Sequence, residues 1–189
     1  MKYVFLLTLL YALQVKSQIA SNRKIAEIES NILIQLNEYR NKHGLHSVTA
    51  DTTISRIARM HARYLAIASE KGHNTHHDKL PHDEQFDIPN YHELNFEQRS
   101  ILASHKNIVC EISIQRDPML TNQSIKEFAI QTIKAFDSSP SHKEVMLMND
   151  VRGIIDLVGI AVVKQDTKNE LYEHFAVNID FGYYQIEKK

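Results

Sequence analysis

SSPSHKEVMLMN, Ser138–Asn149, is the stretch around which the chain is organised. It reads as a helix start: Ser139 suits an N-cap, Pro140 suits the first helical position, and Ser141 with Glu144 matches a capping box one step along. His142 then falls in the first turn, beside the free N–H groups and the positive end of the helix dipole. Val145, Met146 and Met148 supply apolar surface, so the short helix docks while His142 faces a cleft. Ser139 and Ser141 are better explained as helix-start residues than as nucleophiles, because a Ser141–His142 dyad would put its members on different sides of a helix.

Working outward, Ser124 to Asp137 is an amphipathic helix with Ile125, Phe128, Ala129, Thr132 and Phe136 inward. Downstream the chain is β. Asp156–Lys164 (DLVGIAVVK) reads as a strand buried on both faces. Tyr172–Phe181 alternates, with Phe175, Val177, Ile179 and Phe181 on one side and His174, Asn178 and Asp180 on the other. Asp166–Asn169 fits a hairpin turn between the two strands.

Upstream, Arg23–His43 reads as a helix with Ile25, Ile28, Ile32, Leu36 and Tyr39 on one face and Gly44 as its stop. Leu45–Ala50 is a connector. Asp51 or Thr52 caps a second helix to about Lys71, whose inner face carries Ile54, Ile57, Ala58, His61, Leu65 and Ala68. His61 on that stripe reads as a hydrogen-bonded core histidine rather than a ligand. His73 to Ala103 is polar and holds two prolines, which points to a long functional loop. Asn107–Ile114 is an apolar run consistent with a buried strand. Helices first and a hairpin last give an α+β layered domain on a small antiparallel sheet.

The 189 residues fit one domain with a sizeable core, and a net charge of −1 without charged blocks gives no reason to expect nucleic acid or an anionic membrane as partner. The N-terminus reads as a leader: Met1-Lys2, an apolar run from Tyr3 to Leu13, then Val15-Lys16-Ser17 as a signal peptidase site. Cleavage after Ser17 leaves residues 18–189 as the domain and takes the charge from −1 to −3 by removing Lys2 and Lys16. An uncleaved anchor is the other reading of the run, although it is short for a membrane span. An exported domain of this kind is expected to be secreted or periplasmic and monomeric. Cys110 is the only cysteine, so no internal disulfide forms; within its apolar run a buried, inert thiol is expected.

Four pieces in order carry a family resemblance: LNEYRNKHGL (Leu36–Leu45), ISRIARMHARYLA (Ile54–Ala66), AFDSSPSHKEVMLMN (Ala135–Asn149) and LVGIAVV (Leu157–Val163). Together they resemble the CAP superfamily, shared by cysteine-rich secretory proteins, antigen 5 and plant pathogenesis-related proteins, and most resemble its bacterial, cysteine-poor branch. The first piece is similar to the family's N-x-x-R helix, the second to A-x-x-H-A-x-x-L-A, the third to the S-P-x-H motif behind an aromatic residue, and the fourth to the V-G-x-A strand. The resemblance implies a three-layer α-β-α sandwich.

It also implies a cleft lined by two histidines and one or two acids, which binds a divalent metal such as zinc in some members. The second histidine carries over to His142. The family's G-E-N-I acid has no direct counterpart; aligning on Asn107-Ile108 puts Lys106 there, whereas Val109-Cys110-Glu111-Ile112 keeps an acid, and Glu111 is preferred. For the first histidine, His82 fits the spacing best, with His76 and His77 as alternatives to it and His73 a further candidate. Asp137 stands near, but displaced from, the second acidic position. A site of His82, Glu111 and His142 can hold zinc with an open position for water, although no tight H-E-x-x-H spacing is present. The resemblance therefore implies an exported binding or recognition module for a lipid, glycan or protein, with a metal-dependent hydrolase acting on peptide or cell-envelope material as the alternative.

Overall fold

The computed structural model describes residues 2–70, 108–120, 122–148, 155–165 and 171–183. The first helix, α1, spans Lys2–Lys42, so the helix read from Arg23 continues back through the segment read as a leader. Its inner face is the expected one, with Ile28, Ile32 and Leu36 fully buried and Ile25 and Tyr39 packed at the margin. Gly44, at φ 75°, ends it in the left-handed conformation that only glycine adopts at no cost. There Gly44 N–H donates to Asn41 O and Leu45 N–H to Arg40 O, the paired bonds of a Schellman stop.

The connector contains strand β1 (Thr49–Ala50), which pairs in parallel with the later strand β3 (Leu157–Lys164). Asn37 fixes the approach: its amide donates to Val48 O at 3.0 Å, and its carbonyl accepts from Val48 N–H at 2.8 Å. Helix α2 (Thr52–Glu70) follows at once, and Asp51 is its cap, accepting from Thr53 and Ile54 N–H. All six residues expected on its inner face are buried.

Strand β2 (Ile108–Leu120) is longer than the run read from sequence. Helix α3 (Ile125–Asp137) opens with a complete capping box between Ser124 and Glu127. The box read at Ser141 and Glu144 is not the cap of the next helix: α4 (Pro140–Met146) takes Ser139 as N-cap without a side-chain bond, and Pro140 opens it. The last two described strands are β3 and β4 (Tyr172–Gly182), and the turn expected at 166–169 lies outside the described residues.

The described sheet has the order β1-β3-β4-β2, antiparallel except for the β1–β3 pair. One layer, α1 with α3 and α4, covers one face; α2 covers the other. The alternation in β4 sorts its residues between them. Phe175, Val177, Ile179 and Phe181 join the α1–α3 core, while Ala176 packs under α2. His174, Asn178 and Asp180 are buried as well, so the polar side of β4 faces a helix and not solvent. This is the α+β, three-layer α-β-α arrangement. Among the described residues no helix is long and apolar enough to cross a membrane.

Two details explain sequence features. A Cβ on Gly159 would lie 2.3 Å from the Ile54 carbonyl carbon and 2.4 Å from Ser55 N, so the first turn of α2 rests directly on β3. On the outer side of β3, Glu29 of α1 accepts from Val162 N–H at 3.0 Å and from Arg59 at 2.7 Å, occupying a strand edge that would otherwise be open.

Candidate functional site

Helix α4 is seven residues long, too short to be stable alone, and the surrounding chain holds it. At its C-terminal end Arg40 reaches across from α1. The Arg40 guanidinium is 1% exposed, donating from Nη1 to Met146 O at 2.7 Å and from Nε to His46 O at 3.1 Å. A cation at the carbonyl end of a helix also suits the dipole. Met146 is buried in the main core beside Phe136, and Val145 packs against the same cluster. The N-x-x-R pair of α1 therefore works as a clip: Asn37 holds the connector and Arg40 holds α4.

At its N-terminal end, α4 presents His142. The ring is half-buried and meets Phe136 edge-on, with centroids 5.3 Å apart and planes at 82°. Burial lowers its pKa below the ordinary imidazole value, which favours the neutral ring with its free lone pair. Beside it, Asp137 accepts from Tyr39 Oη at 2.6 Å and pairs with Lys143 at 2.9 Å. The Tyr39 bond first, and Lys143 with it, hold the Asp137 carboxyl below its ordinary value. Burial and the Asp137 charge push the Tyr39 phenol up to about 12, so it stays protonated as a donor. The His43 ring lies against Tyr39, with centroids 4.5 Å apart and planes tilted at 45°, and closes the group. The ends of α1 and α3 and the start of α4 thus gather Tyr39, His43, Asp137 and Lys143 into one polar group, while His142, next to Lys143 in α4, stands against Phe136.

Glu111 is not on that face. Cys110, Ile112 and Ile114 of β2 belong to the cluster containing Phe136 and Met146, and in a strand the residues between them point the other way. Glu111 accordingly lies under α2, its Oε1 3.8 Å from His61 Nε2. It sits opposite Asp180 of β4, which accepts from Asn178 Nδ2 at 2.8 Å. Tyr64 stacks on His61 at 5.9 Å. The structure thus brings Glu111 together with His61 and Asp180, and places His142 with the other helical layer. His76, His77 and His82 lie outside the described residues, as do His73 and Lys106. Among the described residues no three His, Cys, Asp or Glu side chains form a group that could hold a metal ion.

Against known families, the cysteine-rich secretory protein (CAP) family matches residues 33–179. The chain belongs to the CAP family. No curated protein matches it significantly. Among solved structures, this CAP domain is similar to an outer surface protein from Borrelia burgdorferi, at 18% identity and a TM-score of 0.50. The match covers 83% of this chain and 94% of that one, and at this identity it is a likeness of fold.

Sequence reasoning missed the pairing of Glu111 with His61, although both residues were marked separately. The signal was available in the alternation of Cys110, Ile112 and Ile114, which already turns Glu111 toward the opposite layer. It also missed the role of Arg40, which a polar position on a helix face one residue after inward Tyr39 does not disclose. Cys110, expected to be a buried, inert thiol, is half-buried.

Proposed function

We propose that this CAP domain is a recognition module acting outside the cytoplasm, binding its ligand or partner across the face built around His142. The observation that carries the reading is the anchoring of α4: Arg40 fixes one end, and the Phe136 contact with the Asp137 group fixes the other. A half-buried neutral imidazole held this rigidly is pre-organised to make directed hydrogen bonds to a lipid headgroup, a glycan or a peptide. Membership in a family described as secretory supports export, and so does the leader-like run that ends at Val15-Lys16-Ser17, with cleavage after Ser17.

The test is histidine-selective NMR on the full chain with candidate lipids, glycan fragments and extracellular proteins. A true ligand moves the His142 ring signals, and His142→Ala weakens binding at least tenfold while the spectrum stays folded. Binding of unchanged affinity in His142→Ala would sink this reading.

A second reading follows from the neutral state of His142, since only a deprotonated imidazole ligates metal. In it, His142 and one of His82, His76 or His77 hold a divalent metal such as zinc, and the domain hydrolyses peptide or cell-envelope material. Glu111 facing His61 in the opposite layer weighs against its place in that set. Zinc calorimetry separates the readings: stoichiometric binding lost in His142→Ala and in one of His82→Ala, His76→Ala or His77→Ala supports the metal site, and no binding rejects it.

A further inference from the structure

On the side turned away from the sheet, α2 carries a stripe of arginine. Arg56, Arg59 and Arg63 stand at i, i+3 and i+7, which sets them on one side of the helix. The buried residues Ile54, Ile57, Ala58, Leu65 and Ala68 take the other side. Arg56 and Arg63 are exposed, and among the described residues neither takes an ion pair or a hydrogen bond. Arg59, between them, is held by Glu29 at 2.7 Å with its side chain still 42% exposed. That carboxylate also accepts from Val162 N–H, so three cations face one shared anion and the stripe keeps a positive excess. Seven residues of helix put Arg56 and Arg63 about 10 Å apart along the axis.

Two features of the stripe indicate its partner. The first is residue type. Lysine outnumbers arginine along the chain, yet every cationic position in α2 apart from His61 is arginine. A guanidinium is a planar fork that grips a carboxylate or a sulfate through two parallel hydrogen bonds, which an ammonium cannot do. The net charge of the chain is −1, so the stripe is a local exception and not part of a generally basic surface.

The second feature is what the stripe lacks. The exposed large hydrophobic residues of the described chain are Ile34, Leu120, Leu171 and Tyr172, and none of them lies on α2. Protein partners are anchored by aromatic or apolar side chains, and single-stranded nucleic acid by aromatic stacking. Anionic membranes are recognised by clusters of about four to eight basic residues, more than this stripe supplies. Exposed guanidinium groups without apolar anchors suit a hydrated polyanion that is read through its charges.

We propose that the outer face of α2 binds an acidic polysaccharide. Arg56 and Arg63 each take a carboxylate or sulfate group of the polymer, and Arg59, fixed by Glu29, adds its charge between them. This site lies on the other side of the sheet from the face around His142.

The experiment uses the full-length native protein, with alginate as the carboxylate polymer and heparin as the sulfated one. Calorimetry across ionic strength is expected to show binding to at least one of them at low salt, weakening as salt screens the charges. Arg56→Ala combined with Arg63→Ala is expected to weaken binding about tenfold or more with an unchanged circular dichroism spectrum. Arg56→Lys combined with Arg63→Lys keeps the charge but loses the fork, and is expected to weaken it less. Lys126→Ala combined with Lys134→Ala, at exposed positions of α3, is the control for general charge attraction and is expected to bind as the native protein does. Binding to neither polymer, unchanged affinity in either arginine variant, or an equal loss in the lysine variant overturns the proposal. Tighter binding to phosphatidylglycerol vesicles or to polyglutamate also overturns it, and would assign the face to a membrane or to an acidic protein.

Discussion

Replacing Gly159 by alanine tests the layering of the domain at its tightest point. The added methyl would lie 2.3 Å from the Ile54 carbonyl carbon, 2.4 Å from Ser55 N and 2.6 Å from Ile54 Cγ2. Ordinary carbon contacts are about 3.5–4.0 Å, so the first turn of α2 would have to lift by more than about 1 Å. That turn is not free to lift. Asp51 caps it, Asp51 N–H donates to Val158 O at 2.8 Å, and β1 just before it pairs with Leu157 and Val158. Rising off the sheet would also separate Ala58, Ala62 and Ala68 from Ala161 and Ala176. Overpacking of this kind costs about 1–3 kcal/mol, and two backbone atoms with no rotamer to yield put this case at the upper end. Alanine returns about 0.4–1 kcal/mol by restricting the unfolded chain. The expected net loss is roughly 2 kcal/mol or more, read by urea unfolding with an unchanged slope. A loss under about 1 kcal/mol would refute the claim that α2 rests on the backbone of β3.

Phe136→Ala should cost about 3–5 kcal/mol, because the ring is fully buried and also carries the edge contact with His142; a loss under about 1 kcal/mol in chemical denaturation would remove it from the core. Burial pushes the Asp117 carboxyl up to about 6, above its ordinary 3.8, so the folded state favours the protonated acid. Its contribution to stability is then complete below about pH 4 and is lost as pH rises through about 6. Asp117→Asn supplies a permanent donor to Thr132 Oγ1 while the Thr132 hydroxyl keeps the Phe128 carbonyl, and should gain up to about 3 kcal/mol at pH 7 and little at pH 4. Equal effects at both pH values would show that Asp117 does not titrate with folding. Arg40→Leu should lower the thermal midpoint by several degrees and broaden the amide signals of α4 first, since it frees the carbonyls of His46 and Met146; an undisturbed α4 would show that the clip is not what holds it.

The helical layers were legible because their signals are local. The stripe Ile28, Ile32, Leu36, the stop at Gly44 and the proline-led start of α4 each lie within a few residues. The faces of β4 followed from its alternation. What sequence could not show were choices made by partners distant along the chain. The register of β2 shifts between Ile114 and Asp117, so the core-facing positions change from the even-numbered Ile112 and Ile114 to Asp117 and Met119. That irregularity, and no feature of its composition, turns Asp117 inward toward Thr132. The capping box was misplaced for a related reason: Ser124 with Glu127 and Ser141 with Glu144 have the same spacing, and only the actual helix starts distinguish them. Of the candidate site, His142 and its aromatic support were readable from S-P-x-H and the preceding Phe136, whereas the partner of Glu111 depended on how α2 crosses the sheet.

The strand order β1-β3-β4-β2 also governs the timing of folding. β4 comes after the other described strands in the chain, yet it lies between β3 and β2 and supplies a ladder to each. β1 waits as well, because its partner begins at Leu157. A chain emerging N-terminus first can form α1 and α2 but has no described sheet to seat them on until β4 arrives. Nucleation of the described sheet therefore waits until β4 is made, with the loop-closure entropy of long-range pairing still to be met. Upstream of β4 the described chain can form only helices without a sheet to pack on, and isolated helices are marginal in water, so these segments stay pliable until β4 is made.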